Sequence, residues 1–216
     1  MMGFPPLAAV YALGALAFAT SSCATDSSRA PVVRLVRIEA VGCSAPEIAT
    51  GFMVAAGFVV TVAHVLDNGK TFTVDGMPAT VVSVDDRMDA ALLHVANSAD
   101  RSVEFADPFA PANVRLLRWR SERAQIVDVV VTQVATINFT DLRKHSDVNR
   151  SGLLIDHASV PGDSGSPLLN ADGRVVGMLF ASSVDSSEVG YAVSSTEVRT
   201  LLAAPKTVPS HVGSCG

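Results

Sequence analysis

From Pro31 onward the chain alternates short apolar runs with clusters of Gly, Asp, Asn and Ser. Runs of this length, rich in Val and bounded by turn formers, are strand signals. They predict strands over 32–38, 52–55, 58–62, 71–74, 80–84 and 90–95. The stretch "NSADRSVEFADPFAPAN" then breaks the pattern with Asp107-Pro108, Pro111 and Asn113. Beyond it, strands are expected over 114–117, 126–137, 152–155, 167–169, 175–180 and 191–193. Two sets of about six short strands imply an all-β fold, either a sandwich or a pair of barrels. No internal repeat is visible by eye. One helix is expected, at the end. Ser194 and Glu197 have capping-box spacing, Val198, Leu201 and Leu202 make an apolar stripe, and Pro205 stops it.

The first 22 residues read differently. An apolar stretch from Phe4 to Ala19 precedes the first charged side chain, Asp26. It is short for a membrane span, and Ala17-Phe18-Ala19 fits a small-x-small cleavage site. Residues 1–22 are therefore expected to be a signal peptide or lipoprotein leader, 23–42 a linker and entry strand, and 43–216 the folded domain. Hydrophobic residues at 49% and charged residues at 17% exclude a disordered chain. A net charge of −5 with no basic stripe argues against nucleic acid as a partner. The three cysteines have no metal-ligand spacing, so neither metal nor cofactor is expected. In an oxidising compartment a Cys43–Cys215 bridge would leave Cys23 free. Cys23 is then a candidate lipid-attachment site and a route to membrane attachment, although "TSSC" lacks the usual apolar residue three places before it.

The candidate chemistry lies at strand ends. "VPGDSGSPLL" places Ser164 in a turn of small polar residues directly before an apolar strand. A serine nucleophile needs a base, and the base needs an orienting carboxylate. "VVTVAHVL" puts His64 at the end of an apolar strand, and "DDRMDAALLHV" puts Asp89 just before another. Asp85 and Asp86 are close enough to cap the same strand instead. The order His64, Asp89, Ser164 excludes an α/β-hydrolase, in which the serine comes first and sits in Gly-x-Ser-x-Gly.

Together "GFMVAAGFVVTVAHVL", "DDRMDAALLHV" and "VPGDSGSPLLNADGRVVGMLF" resemble the chymotrypsin/trypsin-fold serine peptidases. The likeness is to bacterial exported or membrane-anchored forms of the actinobacterial acid-resistance type, which also carry a Cys ahead of the first barrel and one near the C-terminus. It covers about Cys43 to Cys215. It implies two six-stranded antiparallel β-barrels and an exported serine endopeptidase acting on polypeptides. By resemblance, Ser164 is the nucleophile, His64 the general base and acid, and Asp89 the orienting carboxylate. The Gly162 and Ser164 amides form the oxyanion hole, Gly162 being required because a Cβ would crowd the turn. His157, Ala158, Phe180, Ala181, Ser182 and Gly190 build the specificity pocket, where Ala158 argues against a preference for Arg or Lys.

Several residues depart from the family pattern. Ser166 stands where most members carry Gly, and no "Ile-Val-Gly-Gly" start follows an Arg. Asp163 is therefore expected to lack the N-terminal amine that is its usual partner. "LLRWRSERAQ" replaces a short Gly-Tyr turn, and the 52 residues after Ser164 (216 − 164) are expected to hold no further peptide-binding domain. The rival reading is a catalytically silent module that keeps the fold for binding or sensing.

Overall fold

The computed structural model describes residues 33–214 apart from 43–44, 68, 97–101, 142–145, 184–185 and 187. The leader, the linker as far as residue 32 and all three cysteines lie outside the described residues.

Six strands come first: β1 (Leu35–Gly42), β2 (Glu47–Ala55), β3 (Phe58–Thr61), β4 (Gly69–Val74), β5 (Met77–Asp85) and β6 (Ala90–Val95). Six more follow: β7 (Ala112–Arg120), β8 (Arg123–Asp141), β9 (Ser146–Ile155), β10 (Pro167–Leu169), β11 (Val175–Ser182) and β12 (Gly190–Ser194). The first six close in the order β1-β2-β3-β6-β5-β4, with β1 and β4 sealing the ring. The second six repeat that order as β7-β8-β9-β12-β11-β10, sealed by β10 and β7. The fold is thus the all-β pair of six-stranded antiparallel barrels. The two barrels share a topology that their sequences do not share, because closure depends on backbone pairing and on which face is apolar.

Most strands run further than their apolar runs. β5 begins at Met77 instead of residue 80, with its outer positions exposed up to Val82. β8 and β9 continue as a hairpin from Ile137↔Arg150 to Asp141↔Ser146. Backbone ladders extend through polar residues wherever a neighbouring strand supplies partners, so hydrophobicity marks only the buried middle of a strand.

One apolar cluster fills the first barrel and runs on through Met178, Phe180 and Val193 of the second, together with Val198 and Leu201. A separate cluster built on Leu116, Val131, Leu153, Ile155, Leu168 and Leu179 fills the second barrel. The barrels therefore meet through continuous core, and loops rising from both sides are held in fixed relation.

Helix α1 (Ser195–Ala203) packs against β11 and β6, spanning that junction. Its cap matches expectation in one half. Ser194 Oγ accepts from Thr196 N at 3.1 Å, whereas Glu197 turns away and accepts from Ser151 N at 3.1 Å. The reason lies in the sheet: pairing of β9 with β12 stops at Gly152, so the Ser151 amide needs another acceptor.

Candidate active site

Strand β3 ends at Thr61, and the chain enters a single 3-10 turn, His64–Leu66, closed by Leu66 N donating to Ala63 O at 2.9 Å. Val65 and Leu66 are buried, and this leaves the His64 ring at the rim with 40% of its side chain exposed. Asp89 lies in the turn between β5 and β6, with φ +50. Its two oxygens both go to His64: Oδ1 accepts from the backbone N at 2.9 Å, and Oδ2 lies 2.8 Å from Nδ1. The neighbouring carboxylates have other work. Asp85 Oδ1 accepts from the Arg87 and Met88 amides, and Oδ2 pairs with Lys206 Nζ. Asp86 Oδ1 lies 3.7 Å from His211 Nε2.

Burial pulls the His64 pKa down, but the hydrogen bond and charge of Asp89, helped by Asp67 and Glu47, outweigh it, and the net shift is upward from 6.5.

Ser164 comes from the other barrel, in the turn between β9 and β10. Asp163 N donates to Val160 O at 2.9 Å, Ser166 N to Asp163 O at 3.0 Å, and Gly165 N to Leu179 O at 2.8 Å. Among the described residues, the Gly162 and Ser164 amides take no part in these turn hydrogen bonds. The crowding expected at Gly162 is absent, since nothing lies within 4 Å of a Cβ placed there. What requires glycine is its φ of +95, a region that side chains rarely adopt. The close approach belongs to Gly165, where a Cβ would sit 1.9 Å from Thr50 O.

Thr50 of β2, fully buried, holds this turn against the first barrel. Its amide donates to Ser164 O at 2.9 Å, and its hydroxyl donates to Gly162 O at 2.8 Å while accepting from Trp119 N at 3.1 Å. Asp163 has a partner that the sequence did not indicate, a side chain and not a chain terminus. Arg118 Nη1 lies 3.1 Å from Asp163 Oδ2, with the two side chains 15% and 1% exposed. Arg118 belongs to "LLRWRSERAQ", which forms the end of β7, the turn at Ser121-Glu122 and the start of β8. Sequence reasoning missed both Thr50 and Arg118.

His64, Gly162 and Ser164 line one open groove of about 400 Å³, with Pro46, Glu47, Ile48 and Pro161 along it. A comparable cavity of about 450 Å³ beside β7, β8 and the end of β10 has Val114, Val129 and Leu169 in its wall and contains no nucleophile beside a base.

Of the expected pocket residues, His157 and Gly190 touch: a Cβ on Gly190 would meet His157 O at 2.3 Å. Ser182 meets Ser159, which the sequence reading did not single out, with the hydroxyls 2.7 Å apart and Ser159 N donating to Ser182 Oγ at 2.5 Å. The Phe180 ring instead lies in the inter-barrel core, with the Arg150 guanidinium 3.7 Å from its centroid.

Residues 49–178 match the family model described as the trypsin-like peptidase domain. The chain belongs to the trypsin-like peptidase family. Among curated relatives of this peptidase domain, the serine protease Rv3671c of Mycobacterium tuberculosis is 29% identical over 194 residues, covering 86% of this chain and 49% of that protein. The probable periplasmic serine endoprotease DegP-like of Chlamydia pneumoniae is 28% identical over 152 residues, covering 66% of this chain and 30% of that protein. The chain thus spans about half the length, or less, of these relatives. The crystal structure of the Mycobacterium tuberculosis protease in its active form superposes with a TM-score of 0.77 at 28% identity, covering 88% of this chain and 87% of that one. Its inactive form superposes at 0.68, covering 78% of this chain and 87% of that one.

Proposed function

We propose that this chain is an exported serine endopeptidase that cleaves peptide bonds through an acyl-enzyme, with Ser164 as nucleophile. The observation that carries the reading is His64, bound at both its amide and Nδ1 by Asp89 and sharing one groove with Ser164. Asp89 accepts from Nδ1–H and so leaves Nε2 with the free lone pair, the tautomer a general base requires. As Ser164 Oγ attacks the carbonyl carbon, its proton passes to Nε2. The carbonyl oxygen becomes an oxyanion facing the Gly162 and Ser164 amides. His64 then gives the proton to the leaving amine, the C–N bond breaks, and the acyl group remains on Oγ. Water, deprotonated by His64, reverses the sequence and releases the acid. Each oxyanion donor of this kind contributes ~2.7–4 kcal/mol to the transition state. The closer superposition on the active form of the Mycobacterium tuberculosis protease supports a working geometry.

The pocket favours a small or medium apolar residue before the cleaved bond. Ala158 supplies no charge there, and the contact of Ser159 with Ser182 draws two walls together. The apolar leader with its small-x-small site, and a relative described as probably periplasmic, support export to the cell envelope or beyond.

The test is fluorophosphonate labelling of the mature protein with casein turnover alongside. Labelling confined to Ser164, and a loss of about 10⁶ in kcat in Ser164→Ala with the fold intact, are expected. A wild-type protein that neither labels nor cleaves is a silent binding module.

A further inference from the structure

Asp89 holds a left-handed backbone conformation, φ +50, that a non-glycine residue adopts only at a cost. Something must hold it there. Within the turn, Met88 N donates to Asp85 O at 3.1 Å, and Asp89 N to Asp86 O at a longer 3.3 Å. The remaining polar group of the Met88–Asp89 peptide, the Met88 carbonyl, accepts from Arg150 Nη1. Arg150 does not belong to this barrel. It lies on β9, opposite Ile137, and is 4% exposed. Its guanidinium stacks on Phe180, 3.7 Å from the ring centroid, in the core that joins the barrels. A planar cation packed in this way has one orientation, so it can hold a carbonyl in one orientation.

We propose that Arg150 is a positioning residue for the His64–Asp89 pair: reaching across from the second barrel, it pins the Met88–Asp89 peptide plane so that both carboxylate oxygens of Asp89 stay aimed at His64. The inference rests on the peptidase reading for its consequence in catalysis, though not for its geometry. Burial lowers the Arg150 pKa to about 10, against the pull of Asp89, Glu197 and Asp85, so the guanidinium remains charged at neutral pH. One consequence is a link between assembly and competence. The base and its carboxylate sit on one barrel and the nucleophile on the other, and the carboxylate is aimed only when the barrels are docked.

Position and charge predict opposite signs, which makes the idea testable. Removing a nearby cation, with Asp89 still in place, raises the His64 pKa. Releasing the peptide plane breaks the Asp89 bond and lets the pKa fall, because burial then opposes the charged form with less compensation. The other charged groups around the pair are unchanged by the substitution: Asp67 and Glu47 beside His64, Asp85 with Lys206, Asp86 with His211, and Glu197 on α1.

The experiment is an NMR titration of ¹⁵N-histidine-labelled Arg150→Met and Arg150→Lys, each on a Ser164→Ala background, with circular dichroism to establish folding. No turnover is needed, so failure of the peptidase reading and failure of this inference are separable. In Arg150→Met the His64 pKa is expected to fall. Arg150→Lys keeps the buried charge and one donor but loses the planar stacking, and its shift is expected in the same direction and smaller. With Ser164 restored, kcat is expected to drop on the order of 10²-fold with KM little changed, the scale of a misplaced catalytic group. A His64 titration unchanged or moved upward in every variant that folds overturns the proposal.

Discussion

Arg118 and Asp163 form an ion pair at 3.1 Å beneath the turn that carries Ser164, with the Asp163 side chain 1% exposed. The carboxylate precedes the candidate nucleophile by one residue, and Val160 N also donates to it, at 3.2 Å. A cation from the β7–β8 hairpin thus pairs with a buried charge inside the loop that lines the groove with Gly162 and Ser164.

Arg118→Met should therefore strand a buried carboxylate. Removing one partner of a buried pair costs ~3–5 kcal/mol, because the remaining charge loses its compensation. Urea unfolding should show that loss, and fluorophosphonate labelling of Ser164 should fall with it. An unchanged unfolding midpoint would show that Asp163 finds compensation elsewhere.

The upward shift of His64 has two consequences with a worked sign. The base must be neutral to accept a proton, so kcat/KM should fall as pH drops through an apparent pKa above the ordinary 6.5. Stability moves the other way. A folded pKa above the unfolded one means that the His64–Asp89 interaction contributes fully below about 6.5 and is lost as pH rises through the raised value. Asp89→Asn should cut kcat by about 10⁴ by selecting the wrong tautomer. Full activity in Asp89→Asn with loss in Asp86→Asn would assign the carboxylate to Asp86.

Thr50→Val keeps the shape of a fully buried side chain and deletes its hydroxyl. Gly162 O loses a donor and Trp119 N loses an acceptor. Each buried group left unsatisfied costs ~1–3 kcal/mol. Because one of them is the carbonyl of Gly162, kcat should fall more than KM rises. Equal stability and kcat in wild type and Thr50→Val would remove Thr50 from the account.

What could be read from the chain followed local pattern. The strand Ala90–Val95 was legible at both ends, since Asp89 and the turn formers after Ala96 bracket an unbroken apolar run. Pro167–Leu169 was legible for the same reason. His64, Asp89 and Ser164 stood out because each polar residue interrupts an apolar run at a strand end. Arg118, Thr50 and Arg150 did not stand out. Their partners lie 45, 112 and 62 residues away in sequence. An arginine or threonine in a strand reads as an outward-facing residue until the barrels are closed. The only available signal was the unusual "LLRWRSERAQ", in which Arg118 and Arg120 flank Trp119 where a short turn was expected. Glu197 shows the same limit: its capping-box spacing was present, but the unpaired Ser151 amide of a distant strand took the carboxylate.

The course of the C-terminal tail bears on the cysteines. After α1 the chain returns to the first barrel: Lys206 N donates to Ser83 Oγ at 2.6 Å, and Lys206 Nζ pairs with Asp85. Further on, His211 Nε2 lies 3.8 Å from Asp67 Oδ1 and 3.7 Å from Asp86 Oδ1. Asp67 stands two residues before Gly69, and Gly69 pairs with Gly42 across β4 and β1. The described tail thus returns to the first barrel, and in sequence Cys43 follows Gly42 and Cys215 follows Ser214. A Cys43–Cys215 bridge, with Cys23 outside the pair, is expected in protein exported through its own leader. The loop closed would be about 170 residues, for which chain entropy gives ~5 kcal/mol as an upper figure, less any strain. Reduction should lower the urea midpoint accordingly and free the tail from Asp67 and Asp86. Non-reducing peptide mapping reads the connectivity directly, and a Cys23–Cys43 linkage, or free thiols at both Cys43 and Cys215, would reject it.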